Sequence, residues 1–126
     1  MNKDIFRKYL ASKRDELEYR LMSVYYNDNY EHPDNKPAYM FNQYVNVLDD
    51  VKHDSIGYNI TAEQIEDITS VLGGLHLQYN LKVRGLSIDQ GFKDFLESIS
   101  GGQEIPDYIA EQINDIFEED DNNEEF

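Results

Sequence analysis

Asp107, Glu111, Asp115 and Glu118 follow one another at intervals of four, four and three residues. On a helix those intervals place side chains along one face, about 5–6 Å apart. A row of carboxylates at that pitch has the sign, and a spacing comparable to that, of the phosphates along a nucleic-acid strand. The chemistry open to it is electrostatic: it can fill a lysine- and arginine-lined groove built for a polyanion. The plainer reading is a solvated face behind Ile109, Ile113 and Ile116. Against that reading, residues 101–126 hold ten acids and no base. Solvated helices ordinarily mix both signs, because oppositely charged i,i+4 pairs stabilise them.

The acidic character continues through Glu119, Asp120 and Asp121 to a terminal Phe126. This nine-residue end resembles the tip of bacterial and phage single-stranded-DNA-binding proteins, where acids and a last Phe dock on replication partners. The resemblance implies a partner-recruiting tail. The Ile-Pro that precedes the Phe in those tips is absent, and no five-strand OB pattern lies upstream.

Other constellations carry less. His32, His53 and His76 show no ligand spacing such as HxxxH and sit beside no acidic cluster on a shared helix face, so they read as surface or packed histidines. His53 is expected to complement the C-terminus of a helix ending near residue 52. Asp49-Asp50 and Glu66-Asp67 lack the apolar surroundings that would hold two carboxyls apart in a cleft with one pKa raised. Gly73-Gly74 and Gly101-Gly102 are followed by no Lys-Ser/Thr and form no GxGxxG, so neither is a phosphate loop. Residues 27–35 lack the central glycine and final glutamate of an EF-hand. Asn59-Ile60-Thr61 is a sequon, read as inert. No cysteine is present, which excludes thiol catalysis, disulfides and cysteine-bound metal. No catalytic signature, cofactor or metal site is expected.

Composition sets the frame. The 126 residues suit one domain. Mean hydropathy is −0.72, and no apolar run nears the ~20 residues of a membrane span. The start, MNKDIFRKYL, lacks the apolar stretch of a secretory signal, so a bacterial cytoplasm is the expected compartment. Net charge is −15, and its distribution is uneven: residues 1–24 carry +2, residues 101–126 carry −10. Such a surface repels a polyanion, so direct duplex-DNA binding is not expected. Frequent Ile, Asn and Tyr with little Ala goes with low-GC bacteria and their phages.

The elements that position these groups read as helices. Phe6, Leu10, Leu17, Leu21 and Tyr25 mark a first helix over about 3–25, with Ile5, Met22 and Val24 expected to widen its apolar stripe. Polar residues 26–36, with Pro33, read as a loop. Pro37 then fits the first turn of a helix carrying Met40, Phe41, Tyr44, Val45, Leu48 and Val51, ending near 52. Thr61-Ala-Glu-Gln64 is a capping box with Ile60 and Ile65 at the staple positions. Ile65, Ile68, Leu72, Leu75, Tyr79 and Val83 continue that helix across Gly73-Gly74, at a cost of about 2 kcal/mol against alanine. The alternation in 55–60 and 75–83 also fits a short strand pair, which is the alternative α+β reading. Helix is preferred, because two strands would leave edges nothing else in the chain can pair. Ser87-Ile-Asp-Gln90 is a second capping box, Ile88, Phe92, Phe95, Leu96 and Ile99 follow, and Gly101-Gly102 closes that helix. Pro106 opens the last, with Ile109, Ile113, Ile116 and Phe117 inward. Tyr19, Tyr25, Tyr26, Tyr30, Tyr39 and Tyr44 cluster near the basic head, Tyr44 as core and Tyr26, Tyr30 and Tyr39 as a protein-contact surface.

The expected protein is an all-α bundle of about five helices over 1–117 with an acidic tail at 118–126. It is expected to be a non-enzymatic inhibitor that mimics DNA towards a basic nucleic-acid-binding protein. The partner-binding residues are Asp107, Glu111, Asp115, Glu118, Glu119, Asp120, Asp121 and Phe126. In size and composition it resembles phage DNA-mimic antirestriction and anti-CRISPR proteins. The alternatives are a replication or virion accessory protein recruiting through its Phe-ended tail, and an immunity protein against a basic nuclease toxin. No membrane partner is expected.

Overall fold

The computed structural model describes residues 1–27, 35–100 and 106–124; the side chains of 88, 90, 100 and 118–124 lie outside that description. The described residues form five helices: α1 (Lys3–Tyr25), α2 (Asn35–Tyr58), α3 (Ala62–Arg84), α4 (Ile88–Ser100) and α5 (Asp107–Glu124). Among the described residues there is no strand. The all-α expectation holds.

Local signals set the helix ends. The Asn2 side chain accepts the Ile5 N–H at 2.9 Å and starts α1. At α3 both halves of the capping box form: the Gln64 N–H donates to Thr61 Oγ1, and the Thr61 N–H donates to Gln64 Oε1, each at 3.1 Å. Gly85, at φ +68°, ends α3 in the left-handed conformation, and the Leu86 N–H turns back to the Leu81 carbonyl at 2.9 Å. The second capping box and the Gly101-Gly102 stop fall on Gln90 and residues 101–105, outside the described side chains and residues.

α3 is the central helix. α1 and α2 pack on it and on each other, and α4 and α5 also pack on it. α1 and α3 run parallel, with Met1 beside Gln64 and Tyr25 beside Tyr79. α2 runs antiparallel to both. α4 crosses α3 where Gly73 and Gly74 leave room: a Cβ on Gly74 would stand 3.2 Å from Phe95 Cε1. The glycine pair that interrupts the apolar stripe is the seat of α4.

The core joins Phe6, Leu10, Leu17 and Leu21 of α1, Met40, Val47 and Val51 of α2, Ile68, Leu72 and Leu75 of α3, and Ile109, Ile113 and Ile116 of α5. Burying each such side chain contributes about 1.5–3 kcal/mol.

Three expectations need correction. α2 runs to Tyr58, so 55–58 is helix. His53 is exposed and lies more than a turn before the end of α2, so it does not stand at the helix C-terminus it was expected to complement. The alternation in 55–60 arose from Ile56 and Tyr58, which are exposed, and Ile60, which is buried. Ile5, Met22 and Phe41 are 53%, 41% and 52% exposed, Ile5 and Met22 on the face of α1 away from its buried residues and Phe41 with its ring only edge-on to His76. The buried Val47, absent from the expected α2 stripe, completes it.

Candidate functional site

The first turns of α5 sit in a corner between the basic start of α1 and the acidic start of α3. Tyr108 occupies that corner. Its hydroxyl donates to Asp67 Oδ2 at 3.4 Å. Its ring meets the Phe6 ring edge-on at 6.2 Å and lies under both the Lys3 ammonium and the Arg7 guanidinium, 5.3 and 5.2 Å from its centroid. Burial, then the charge of Asp67, raises the Tyr108 pKa. Burial, then Glu63, raises that of Asp67.

Further along, Arg14 Nη1 donates to Gln112 Oε1 at 2.8 Å. The buried Gln78 amide donates to the Ile116 carbonyl at 2.7 Å. Phe117 packs on Phe92 of α4, with centroids 4.5 Å apart. Tyr108, Gln112, Gln78 and Phe117 thus fix the rotation and axial position of α5 along three turns of helix.

The expected row is set by that rotation. Ile109, Ile113, Ile116 and Phe117 are buried, and Asp107, Glu111 and Asp115 are exposed on the opposite face. From Asp107 to Asp115 the row spans about 12 Å. Glu118, Glu119, Asp120 and Asp121 continue on α5, which runs to Glu124; their side chains lie outside the description, and Phe126 lies outside the described residues. Glu63 and Asp67 of α3 were not among the expected residues. They come beside the start of the row through the Tyr108–Asp67 contact, across 41 positions of sequence. No local pattern announces a pairing of that range.

His76 stacks on Tyr44 at 5.1 Å and 14°, meets Phe41 edge-on at 6.0 Å, and its buried Nε2 has no hydrogen-bond partner. Burial lowers its pKa, so it behaves as a neutral packing residue at neutral pH. Tyr44 is half-buried, and its hydroxyl donates to the Thr69 carbonyl at 3.4 Å. Tyr26 and Tyr39 are exposed; Tyr30 and His32 lie outside the described residues. An open groove of ≈ 470 Å³ between α1 and the end of α2 contains a close carboxylate–hydroxyl pair, with the Tyr9 hydroxyl donating to Asp54 at 2.6 Å. Burial, then Asp54, raises the Tyr9 pKa, which makes it a poor proton donor near neutrality. Among the described residues no three metal-ligating side chains converge, and no helix is long and apolar enough to cross a membrane.

Comparison with protein-family models, with curated proteins and with solved structures finds no match to this chain.

Proposed function

We propose that this protein is a non-enzymatic binding protein that presents the α5 carboxylate row to a basic nucleic-acid-binding surface of another protein, blocking it as a DNA mimic. One observation carries the reading. The exposed row of Asp107, Glu111 and Asp115 stands on a helix whose opposite face is locked into the core and whose sequence neighbourhood contains no base. A pre-positioned row loses little conformational freedom on binding, which favours affinity. The net charge of −15 steers it toward a cationic partner. A DNA-occupied defence or host protein of a low-GC bacterium is the partner class that fits, and an inhibitor of phage or mobile-element origin is the corresponding source.

The test is capture from a nuclease-treated lysate of such a bacterium. The intact protein should retain a basic nucleic-acid-binding protein that duplex DNA elutes. Asp107→Lys, Glu111→Lys and Asp115→Lys together should abolish retention, since each lost contact leaves a partner cation unpaired at about 1.5 kcal/mol or more. Their exposure keeps the fold intact. Deleting 120–126 should only slow association. If instead removing Phe126 alone abolishes retention and the triple reversal does not, the tail is the docking element and the mimic reading fails.

A further inference from the structure

All the large apolar side chains that α1 and its C-cap Tyr26 expose fall on one stripe. Ile5, Tyr19, Met22 and Tyr26 are 53%, 74%, 41% and 68% exposed, and lie opposite the buried Phe6, Leu10, Leu17 and Leu21. Lys8, Ser12 and Asp15, also exposed, fill the gaps between them. Read in order, the stripe advances by 3, 4, 3, 4, 3 and 4 residues from Ile5 to Tyr26. That is the a/d spacing of a coiled-coil seam, and it belongs to a helix whose core-facing contacts are already made on its other side.

The seam is complementary to itself in one orientation. In a parallel, in-register pair Lys8 would face Lys8 and Asp15 would face Asp15, two like-charge layers. In an antiparallel pair, where a positions meet d positions, Ile5 faces Met22, Lys8 faces Tyr19 and Ser12 faces Asp15, each twice by the two-fold axis. These are an apolar layer, a cation–ring layer and a hydrogen-bonding layer. Shape agrees with chemistry. Ile5, Lys8 and Ser12 line the ≈ 470 Å³ groove beside Tyr58. The antiparallel register brings the protruding Tyr19 and Met22 of a second copy over it. Charge agrees as well. Residues 1–24 carry +2 in a chain of −15, so α1 is where two copies approach with least repulsion.

We infer that two copies of this chain pair through the outer faces of α1, antiparallel, with Ile5 against Met22 and Lys8 against Tyr19. The polar central layers set the register at a cost in strength. The acidic row of α5 stays uncovered, so the dimer displays it twice.

The test uses the full chain in two measurements. In sedimentation velocity from about 5 to 500 μM, the mass should rise from the 14.8 kDa of one chain to about twice that. Tyr19→Glu with Met22→Glu, exposed positions that leave the helix content unchanged, should keep it at one chain throughout. The chain has no native cysteine, so single cysteines report register. Ile5→Cys and Met22→Cys proteins, each oxidised alone, should stay uncross-linked, because like positions stand about 25 Å apart in this arrangement. Mixed and oxidised, they should form the Ile5–Met22 disulfide, which needs Cα atoms within about 7 Å. A chain that remains single at the highest concentration overturns the proposal. So does a dimer that survives the double glutamate variant, or one that cross-links like positions and not the mixed pair.

Discussion

The Gln78 amide donates to the Ile116 carbonyl 2.7 Å away, inside the seam between α3 and α5. Gln78 is the one polar side chain among the described buried residues, 5% exposed. Its bond sets how far along α3 the acidic helix is seated. Because Ile116 follows Asp115, the same bond holds the exposed row in place.

Gln78→Ala should therefore lower stability by about 1–3 kcal/mol, from a carbonyl losing its partner and a void beside it. Urea unfolding followed by circular dichroism reads this as a lower midpoint. An unchanged midpoint would mean that the apolar face alone seats α5.

The Thr61 cap is a separable local contribution. Thr61→Ala should cost about 1 kcal/mol, typical of a lost N-cap. Gln64 closes the box and also donates from Nε2 to the Met1 carbonyl at 2.8 Å. Gln64→Ala should accordingly cost more than a half-box alone and should loosen the N-terminus, visible as faster amide exchange at Phe6, whose N–H bonds the Asn2 carbonyl.

Two glycines should respond oppositely to alanine. At Gly91 an added Cβ would fall on Leu81 Cδ1, so Gly91→Ala must turn the Leu81 side chain out of its place or part α3 from α4, and should cost about 1–3 kcal/mol. At Gly73 the nearest atom would be the Tyr44 hydroxyl at 3.4 Å, an ordinary contact. Gly73→Ala should be neutral or gain up to about 1 kcal/mol of helix propensity. Thermal unfolding should show a lowered midpoint for Gly91→Ala and an unchanged or raised one for Gly73→Ala.

His76 gives a pH dependence with a definite sign. Burial holds its folded pKa below the ordinary 6.5, so the unfolded chain takes up the proton first on acidification. Stability from the neutral, stacked ring is complete above about pH 6.5 and is lost as pH falls from there to the lowered folded value. The difference in unfolding midpoint between wild type and His76→Leu should shift toward the variant below pH 6.5. A difference that is flat across that window would place the ring in water.

The isolated protein should leave duplex DNA unbound at physiological salt, because −15 repels it. Sub-micromolar binding in a mobility-shift titration would sink the mimic reading.

Much of this fold was legible because its signals are short in range. Thr61 and Gln64 are three residues apart, and one hydrogen-bond pair between them starts a helix whatever the rest of the chain does. The inward Ile109, Ile113 and Ile116 and the outward Asp107, Glu111 and Asp115 are both fixed by the 3.6-residue period, so the two faces of α5 came from spacing alone. The segment 75–83 resisted reading for the opposite reason. Leu75, Gln78, Tyr79 and Leu81 are all buried because α3 is covered by four helices, and a helix buried on most sides loses the one-faced pattern that distinguishes it from a strand.

What the residues determined by themselves was the helices, their caps and the two-faced character of α5, each a matter of neighbours within one or two turns. Only the tertiary structure decided which apolar side chains would be covered. Ile5 and Phe6 are adjacent and equally apolar, yet one is 53% exposed and the other fully buried. It also decided that Tyr108 would meet Asp67, Lys3 and Arg7. Burial and charge pairing of that kind depend on which helices arrive from distant parts of the chain, and apolar attraction is non-directional, so the pattern on one helix does not name the helix that will cover it.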